Sequence, residues 1–336
     1  MSEHAPNPAL IFETLNAFQK SAALHGAIEL DLFTGIARGH STPTALATWC
    51  EGDARAVRIL CDYLVVHQFL EKRGQAYALT PTSAVFLDRE SAHYMGSIAR
   101  FVHSEGMTGA FRDVAQLVRR GTTLLGDHGT TAIEYDGWVD FAHCMTPLMM
   151  PAADYLGQLS AEMIAGPVRV LDMAAGHGMF GIRVAQRNPQ ASIVALDWAP
   201  VLRVAWQNAQ FAGVDTRYKL LAGDAMKVDF DGRYGLVLVT NFLHHFDMPT
   251  CVSVMRKIRE SLTDDGVVLT LEFVPNEDRV SPPAAAAFGF TMLGTTPAGD
   301  AYTFSEYAEM WQQAGLERHE LRDVPNSVQR VIVSRV

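Results

Sequence analysis

The chain has little of what marks a secreted, metal-binding or membrane protein. It contains only four cysteines in 336 residues, and their spacing fits neither a zinc site nor a disulfide framework. The N-terminal segment lacks the basic and long apolar regions of a signal peptide. No apolar run approaches the roughly 20 residues that cross a bilayer. We therefore expect a cytoplasmic protein without a membrane partner.

Positive charge is also scarce. The chain has 27 Lys and Arg residues against 37 Asp and Glu residues, so its formal net charge is −10. This balance argues against unaided binding to nucleic acid. A hydrophobic content of 49% and a charged content of 19% are typical of a globular protein. The length allows two domains, each with its own core.

The most informative stretch is 168–197, which predicts a buried strand, a turn, a helix and a second strand. Gly176 and Gly178 lie in the turn, and Asp197 ends the second strand. Such a unit builds a crevice at the carboxyl ends of its strands. Glycines let a ligand approach the backbone, and the acid can accept both hydroxyls of a ribose. The stretch therefore predicts a nucleoside-cofactor site.

Two cofactors are compatible with this turn. Gly176-x-Gly178-x-x-Gly181 matches the dinucleotide fingerprint, in which a pyrophosphate sits on the helix N-terminus. Here, however, Asp172 ends the first strand, and a carboxylate there would repel a pyrophosphate but could bind an ammonium group. S-adenosylmethionine has an ammonium group and a ribose diol but no phosphate. The acids favour this methyl donor, with an NAD-dependent oxidoreductase as the alternative.

The N-terminal region predicts three helices and a hairpin, a winged-helix pattern. Such a fold suggests DNA binding through its recognition helix, here residues 54–67. That helix has only Arg55 and Arg58 as cations and is otherwise mostly apolar. It is better suited to packing against protein. We favour a dimerisation module, and a ligand-sensing DNA-binding regulator is the alternative.

The rest of the chain alternates helices and strands. Helices are predicted over 92–101, 109–120, 138–150 and 152–163, before the central stretch. After Asp197, further strand–helix units lead to an antiparallel hairpin of two final strands. This order is not the usual six-strand dinucleotide sheet.

With these residues in place, the chain resembles the class I S-adenosylmethionine-dependent O-methyltransferases that carry an N-terminal winged-helix dimerisation domain. These enzymes methylate hydroxyls of small aromatic metabolites, and the resemblance covers nearly the whole chain. It implies an α/β fold with a Rossmann-like seven-stranded methyltransferase domain at 166–336. It also implies a mostly helical winged-helix domain at 1–100 and, at 101–165, a helical linker with substrate-pocket helices. The implied partners are a small-molecule acceptor and a second copy of the chain, joined through the N-terminal domain.

The first motif of that family, D-x-G-G-G-x-G, resembles residues 172–178. Ala174 and Ala175 replace two of its glycines, which fits the motif if the backbone φ is negative at both. The family's ribose-binding acid matches Asp197, and its Gly-Asp motif near the adenine matches Gly223-Asp224. The cofactor site implied by these matches and their neighbours comprises Asp172, Ala174, Gly176, Gly178, Asp197, Trp198, Gly223, Asp224, Ala225 and Asn241.

The family's catalytic histidine lies in a Leu-His-Asp-Trp pattern, which resembles residues 243–246 and gives its place to His244. An imidazole can take a phenol proton near neutral pH. The family holds this ring with two acids, and Glu272 matches the first. Ala301 occupies the place of the second, and Asp300 beside it is a candidate replacement. The missing acid keeps open a C- or N-methyltransferase that needs no general base.

The acceptor pocket is assigned to aromatic, histidine and methionine side chains near this region: Trp138, Phe141, Met145, Met149, His245, Phe288, Met292 and Tyr302. No metal site is predicted. Adjacent histidines on an extended segment would point to opposite faces, so His244 and His245 could not share an ion.

Overall fold

A computed structural model of the chain describes residues 6–133 and 135–336. The chain divides into two compact units, and the boundary falls between His103 and Ser104. Residues 1–5, which belong to the segment inspected for a signal peptide, lie outside the described residues. In the part of the chain that is described, no helix is long and apolar enough to cross a membrane.

The first unit is mostly helical, with one antiparallel hairpin, as predicted. Thr42 and Asp53 begin two of its helices by accepting hydrogen bonds from backbone N–H groups of the first turn. Apolar side chains of the first four helices and the hairpin form one core. The elements are α1 (Ala9–Glu29), α2 (Leu32–Ala37), α3 (Pro43–Trp49), α4 (Ala54–Val66), β1 (Leu70–Arg73), β2 (Ala76–Leu79), α5 (Pro81–Phe86) and α6 (Ile98–Val102).

The second unit contains a sheet flanked by helices. Its helices are α7 (Glu105–Gly109), α8 (Val114–Arg120), α9 (Gly137–Cys144), α10 (Thr146–Met163), α11 (Met179–Arg187), α12 (Ala199–Phe211), α13 (Met248–Ser261), α14 (Pro283–Thr295) and α15 (Phe304–Gln313). Its strands are β3 (Val168–Met173), β4 (Ala191–Asp197), β5 (Tyr218–Ala222), β6 (Tyr234–Thr240), β7 (Leu262–Glu272), β8 (Arg318–Asp323) and β9 (Arg330–Arg335).

Three predicted helix boundaries are wrong. Residues 92–97 form turns, because the N–H of Met95 donates to the carbonyl of Phe86 rather than to a preceding helical turn. The helix predicted over 109–120 begins only at Val114, because residues 110–113 form turns and Asp113 caps the start of α8. The break predicted at Pro151 is misplaced: α9 ends at Cys144 and α10 begins at Thr146, so Pro151 lies inside α10, near its N-terminal end, where one intrahelical hydrogen bond is lost.

The seven strands have the order β5-β4-β3-β6-β7-β9-β8. Strands β3 to β7 run parallel, whereas β9 is antiparallel to both β7 and β8. The predicted seven-stranded α/β domain is therefore confirmed. Because the chain leaves β3 in one direction to β4 and later returns on its other side as β6, the crevice opens above β3 at the carboxyl ends of the strands.

Candidate active site

The turn after β3 is built by close backbone contacts. Gly176 and Gly178 have φ values of 57° and 75°, in the left-handed region that favours glycine. A Cβ added to Gly178 would lie 2.6 Å from the hydroxyl oxygen of Tyr218 and 2.9 Å from the Cβ of Ala205. Only glycine fits there, so the turn stays close to the sheet and leaves room above it for a ligand.

Asp172 lies beneath this turn. Its Oδ2 accepts the N–H of Gly181 at 2.9 Å, and a Cβ on Gly181 would lie 2.7 Å from that oxygen. The side chain is fully buried, and burial raises its pKa to about 8. The carboxyl group is therefore mostly protonated at neutral pH. The charge that the sequence argument used against a pyrophosphate is largely absent, and other observations must decide the cofactor.

Asp197 ends β4 with its carboxylate fixed by two backbone groups. Oδ2 accepts the N–H of Gly176 at 2.8 Å, and Oδ1 accepts the N–H of Trp198 at 2.7 Å. Burial raises the pKa of Asp197 to about 6, which leaves most of the population ionised at neutral pH. Each oxygen retains a further lone pair, which is what two ribose hydroxyls require.

Ala174 differs from expectation. Its φ is 52°, so this alanine adopts the left-handed conformation, and the expected negative φ is wrong at this position. The glycine that the family motif has there is the residue suited to such a conformation. The turn keeps its shape despite the methyl group, at a conformational cost of roughly 1–2 kcal/mol.

Ala174→Gly is therefore expected to stabilise the protein by about 1 kcal/mol. Ala175→Gly is the matched control, because Ala175 is buried and has no positive φ. That substitution removes a buried methyl group and frees the unfolded chain, so it should destabilise by about 1 kcal/mol. Urea unfolding measures both changes, and shifts of the same sign would contradict the assignment of strain to Ala174.

The predicted Gly-Asp motif lies beside Asp197. The N–H of Gly223 donates to the backbone carbonyl of Asp197 at 3.0 Å. Asp224 accepts the N–H of Met226 at 2.9 Å and lies 3.4 Å from the ammonium group of Lys227. Ala225 is buried in the core, and Trp198 precedes α12. The structure thus gathers these residues at the ends of β4 and β5, and their contact with an adenine stays a prediction.

A histidine and a buried acid meet beyond β6. Residues 243–245 form a single 3-10 turn. Glu272, at the end of β7, is fully buried, and its Oε1 accepts the N–H groups of Phe242 and Leu243 at 3.0 and 2.9 Å. Its Oε2 lies 2.5 Å from Nδ1 of His244. When Nδ1–H donates to this carboxylate, Nε2 is the nitrogen left to accept a proton.

The suggested replacement of the missing acid is wrong. The carboxylate of Asp300 pairs with Arg279 at 3.4 Å and accepts the N–H of Ala301 at 2.7 Å. Only its backbone approaches the histidine, since the N–H of Asp300 donates to the carbonyl of His244 at 3.0 Å. Sequence reasoning also missed Gly299, where an added Cβ would lie 2.2 Å from that carbonyl oxygen. The signal in the sequence was the position of Gly299, two residues before Ala301, which occupies the place of the family's second acid.

The two neighbouring histidines lie close together. Their ring centroids are 4.3 Å apart, because a 3-10 turn rather than an extended segment carries them. The expectation that His244 and His245 point to opposite faces is therefore wrong. Across residues 6–133 and 135–336, no group of three or more His, Cys, Asp or Glu side chains is arranged to hold a metal ion.

Three predicted pocket residues, His245, Phe288 and Trp138, lie beside His244 or next to its neighbour. The ring of Phe288 lies 4.8 Å from that of His244 and stacks on Phe273 at 3.7 Å, a residue that the sequence prediction omitted. The ring of Trp138 lies 5.2 Å from that of His245. The remaining positions are on nearby helices: Phe141 on α9, Met145 and Met149 at the start of α10, and Met292 on α14.

Tyr302 has the contacts of a core residue. Its hydroxyl donates to the carbonyl of Phe246 at 2.7 Å, and its ring packs against Tyr307 at 5.7 Å in the hydrophobic core. Tyr302 therefore supports the histidine turn from below, and its contacts do not place it in the acceptor wall.

Comparison with known proteins decides the family. A model of the O-methyltransferase domain matches residues 153–317, and a model of the O-methyltransferase dimerisation domain matches residues 12–89. A crystal structure of a candidate O-methyltransferase from Nostoc punctiforme is 46% identical, covers 98% of this chain and 99% of that chain, and has a TM-score of 0.95. The chain belongs to the S-adenosylmethionine-dependent O-methyltransferases.

More distant proteins are also similar to this chain in sequence or in fold. The tetracenomycin polyketide synthesis 8-O-methyl transferase of Streptomyces glaucescens is 25% identical over 93% of this chain and 92% of that protein. Human N-acetylserotonin methyltransferase in complex with S-adenosylmethionine has the same fold, with 19% identity over 100% of this chain and 99% of that one and a TM-score of 0.85. The methyl donor is S-adenosylmethionine, and the NAD alternative is wrong. The enzyme methylates oxygen atoms of small metabolites.

Proposed function

We propose that this O-methyltransferase acts on a hydroxyl of a small aromatic metabolite, with His244 as general base. The observation that carries the proposal is the 2.5 Å contact between Nδ1 of His244 and Oε2 of Glu272. The bound cofactor supplies an electrophilic methyl group. Nε2 of His244 accepts the hydroxyl proton as the acceptor oxygen becomes nucleophilic. Glu272 holds the tautomer and stabilises the imidazolium that forms.

The rings around His244 support a flat acceptor. Phe288 and His245 both contact the His244 ring, and Trp138 extends the series from the other side of His245. Aromatic walls of this kind favour planar ligands through stacking and edge contacts. Two relatives, 24% and 23% identical to this chain, are a 3-hydroxy-5-methyl-1-naphthoate 3-O-methyltransferase from Streptomyces sahachiroi and a mouse acetylserotonin O-methyltransferase. A phenolic acceptor fits these observations.

The test is a methyl-transfer assay with isotopically labelled cofactor and matched acceptors, such as 1-naphthol and 1-naphthylamine. We expect label in the methyl ether of the phenol, identified by NMR spectroscopy. Label on a ring carbon or on the amine, with none on oxygen, would contradict the phenolic acceptor.

We also propose that the enzyme is a homodimer joined through its first unit. The N-terminal part of α1 is exposed in the single chain although it carries five large apolar side chains: Leu10, Ile11, Phe12, Leu15 and Phe18. The dimerisation-domain match begins at residue 12, inside this helix. A second copy of the chain is the partner that would cover such a surface.

Replacing both Leu15 and Phe18 with glutamate should convert the dimer to a monomer, because two charges cannot be buried without partners. Size-exclusion chromatography with light scattering measures the mass. Gln19→Glu, an exposed polar position on the same helix, is the control and should leave the mass unchanged. A double variant that keeps the wild-type dimer mass would contradict the proposed interface.

A further inference from the structure

Two amide side chains meet at the end of β6. Asn241 follows this strand with a φ of 53°, and its backbone N–H donates to the carbonyl of Leu271 at 2.9 Å. Its Oδ1 accepts a hydrogen bond from Nε2 of Gln329, which lies just before β9 and is 3% exposed. The orientation of the Asn241 amide is thus set by a residue 88 positions away in the chain.

The donor end of the same amide faces α10. Nδ2 of Asn241 lies 3.7 Å from the sulfur of Met149, which is its partner among the hydrogen bonds of the described residues. A thioether is a weak acceptor, and an amide NH₂ group carries two donors. Asn241 therefore presents a partly used donor, while its acceptor oxygen is occupied by Gln329.

The position of Asn241 along the sheet edge indicates which part of the cofactor would lie nearest to it. Asp197 ends β4, the glycine turn follows β3, and Asn241 follows β6, the next strand in order. Neighbouring strands lie about 4.8 Å apart, so Asn241 is about 10 Å along the edge from Asp197. If the ribose binds at Asp197 and the methyl group faces His244, the amino-acid end of the cofactor would lie over β3 and reach toward Asn241.

We propose that Gln329 is a positioning residue that orients Asn241 to donate from Nδ2 to the carboxylate of the cofactor's amino-acid end. The inference rests on the proposed ribose contact of Asp197 and on His244 as the proposed base. Without Gln329, the Asn241 amide is free to rotate and to present its oxygen to the carboxylate, which would repel it.

The test compares two ligands in calorimetric titrations of the wild-type enzyme and of Gln329→Leu. S-adenosylhomocysteine contains the amino-acid end, whereas 5′-methylthioadenosine shares its adenine, ribose and sulfur but lacks that end. We expect the variant to bind S-adenosylhomocysteine about tenfold more weakly, as for the loss of a hydrogen bond to a charged group. Its affinity for 5′-methylthioadenosine should stay within about twofold of wild type.

Equal weakening for both ligands would overturn the proposal, because it would mean that Gln329 only supports the fold. Unchanged affinity for S-adenosylhomocysteine would overturn it as well. Gln329→Met, which keeps the side-chain length without a donor, should give the same pattern of affinities. It replaces Gln329→Leu in the test if the leucine variant does not fold. Adding Gln329→Leu to Asn241→Ala should cause no further loss. Failure of the wild-type enzyme to bind S-adenosylhomocysteine would instead contradict the cofactor site.

Discussion

Replacing His244 with alanine is expected to lower the rate of methyl transfer by about 10²–10⁴-fold, the contribution typical of a positioned general base. Binding of S-adenosylhomocysteine should stay within about twofold of wild type, because the glycine turn and Asp197 lie on β3 and β4, away from the histidine turn. Single-turnover kinetics and calorimetry measure the two quantities separately. Loss of both together would indicate damage to the fold rather than removal of a base.

His319→Ala is the matched control. This histidine lies on β8 in the same unit, and its Nδ1 contacts the hydroxyl of Ser334 at 3.1 Å. It lies in the outer hairpin and not among the proposed acceptor or cofactor residues. The control should keep the wild-type rate. Turnover by His244→Ala at a rate close to that of His319→Ala would remove the base assignment.

Glu272→Gln is expected to lower turnover about as strongly as His244→Ala does. The reason here is a change in the tautomer of His244. The amide oxygen can still accept the N–H groups of Phe242 and Leu243, but its NH₂ group then faces Nδ1 of His244. Nδ1 must become the acceptor, so the ring proton moves to Nε2, the nitrogen that should receive the acceptor proton. The wrong tautomer of a comparable triad lowers turnover by about 10⁴-fold.

The tautomer itself is measurable in this variant. Nitrogen NMR of labelled histidine should show the His244 proton on Nε2, whereas the wild-type ring should carry it on Nδ1. Glu306→Gln is a suitable control, since Glu306 also accepts a backbone N–H in this unit, that of Thr303 at 2.8 Å, but serves a helix cap. It should lose about 1 kcal/mol of stability and keep its turnover. A Glu272→Gln enzyme with wild-type turnover would contradict the positioning role.

The positions of some candidate site residues in the fold follow from local patterns in the sequence. Strand ends follow from apolar runs and turn residues, so the sequence alone places Asp172 and Asp197 at the sheet edge. Glu272 follows from its match to the first of the two acids in the family pattern. Each of these residues lies at the carboxyl end of a parallel strand, and that single rule brings them together.

The remaining features depend on contacts between distant parts of the chain. The 3-10 turn that carries both histidines is held by Glu272, which accepts two of its N–H groups from another strand. Nothing local in residues 241–246 distinguishes this turn from an extended segment. Gln329 carries no motif, and its contact with Asn241 arises only because β9 lies beside β7. The left-handed φ of Ala174 likewise reflects the turn around it rather than the preference of alanine.

The order of the last strands has a consequence for how the enzyme is made. Strand β9, although later in the chain than β8, is the one that pairs with β7, and β8 pairs only with β9. During synthesis, β8 leaves the ribosome with no neighbour in the sheet, and β7 keeps an open edge. Residue 329 emerges at the same late stage. The contact between Gln329 and Asn241 can therefore form only after β9 has been synthesised, and a product that stops before β9 would lack this contact and leave the edge of β7 unpaired.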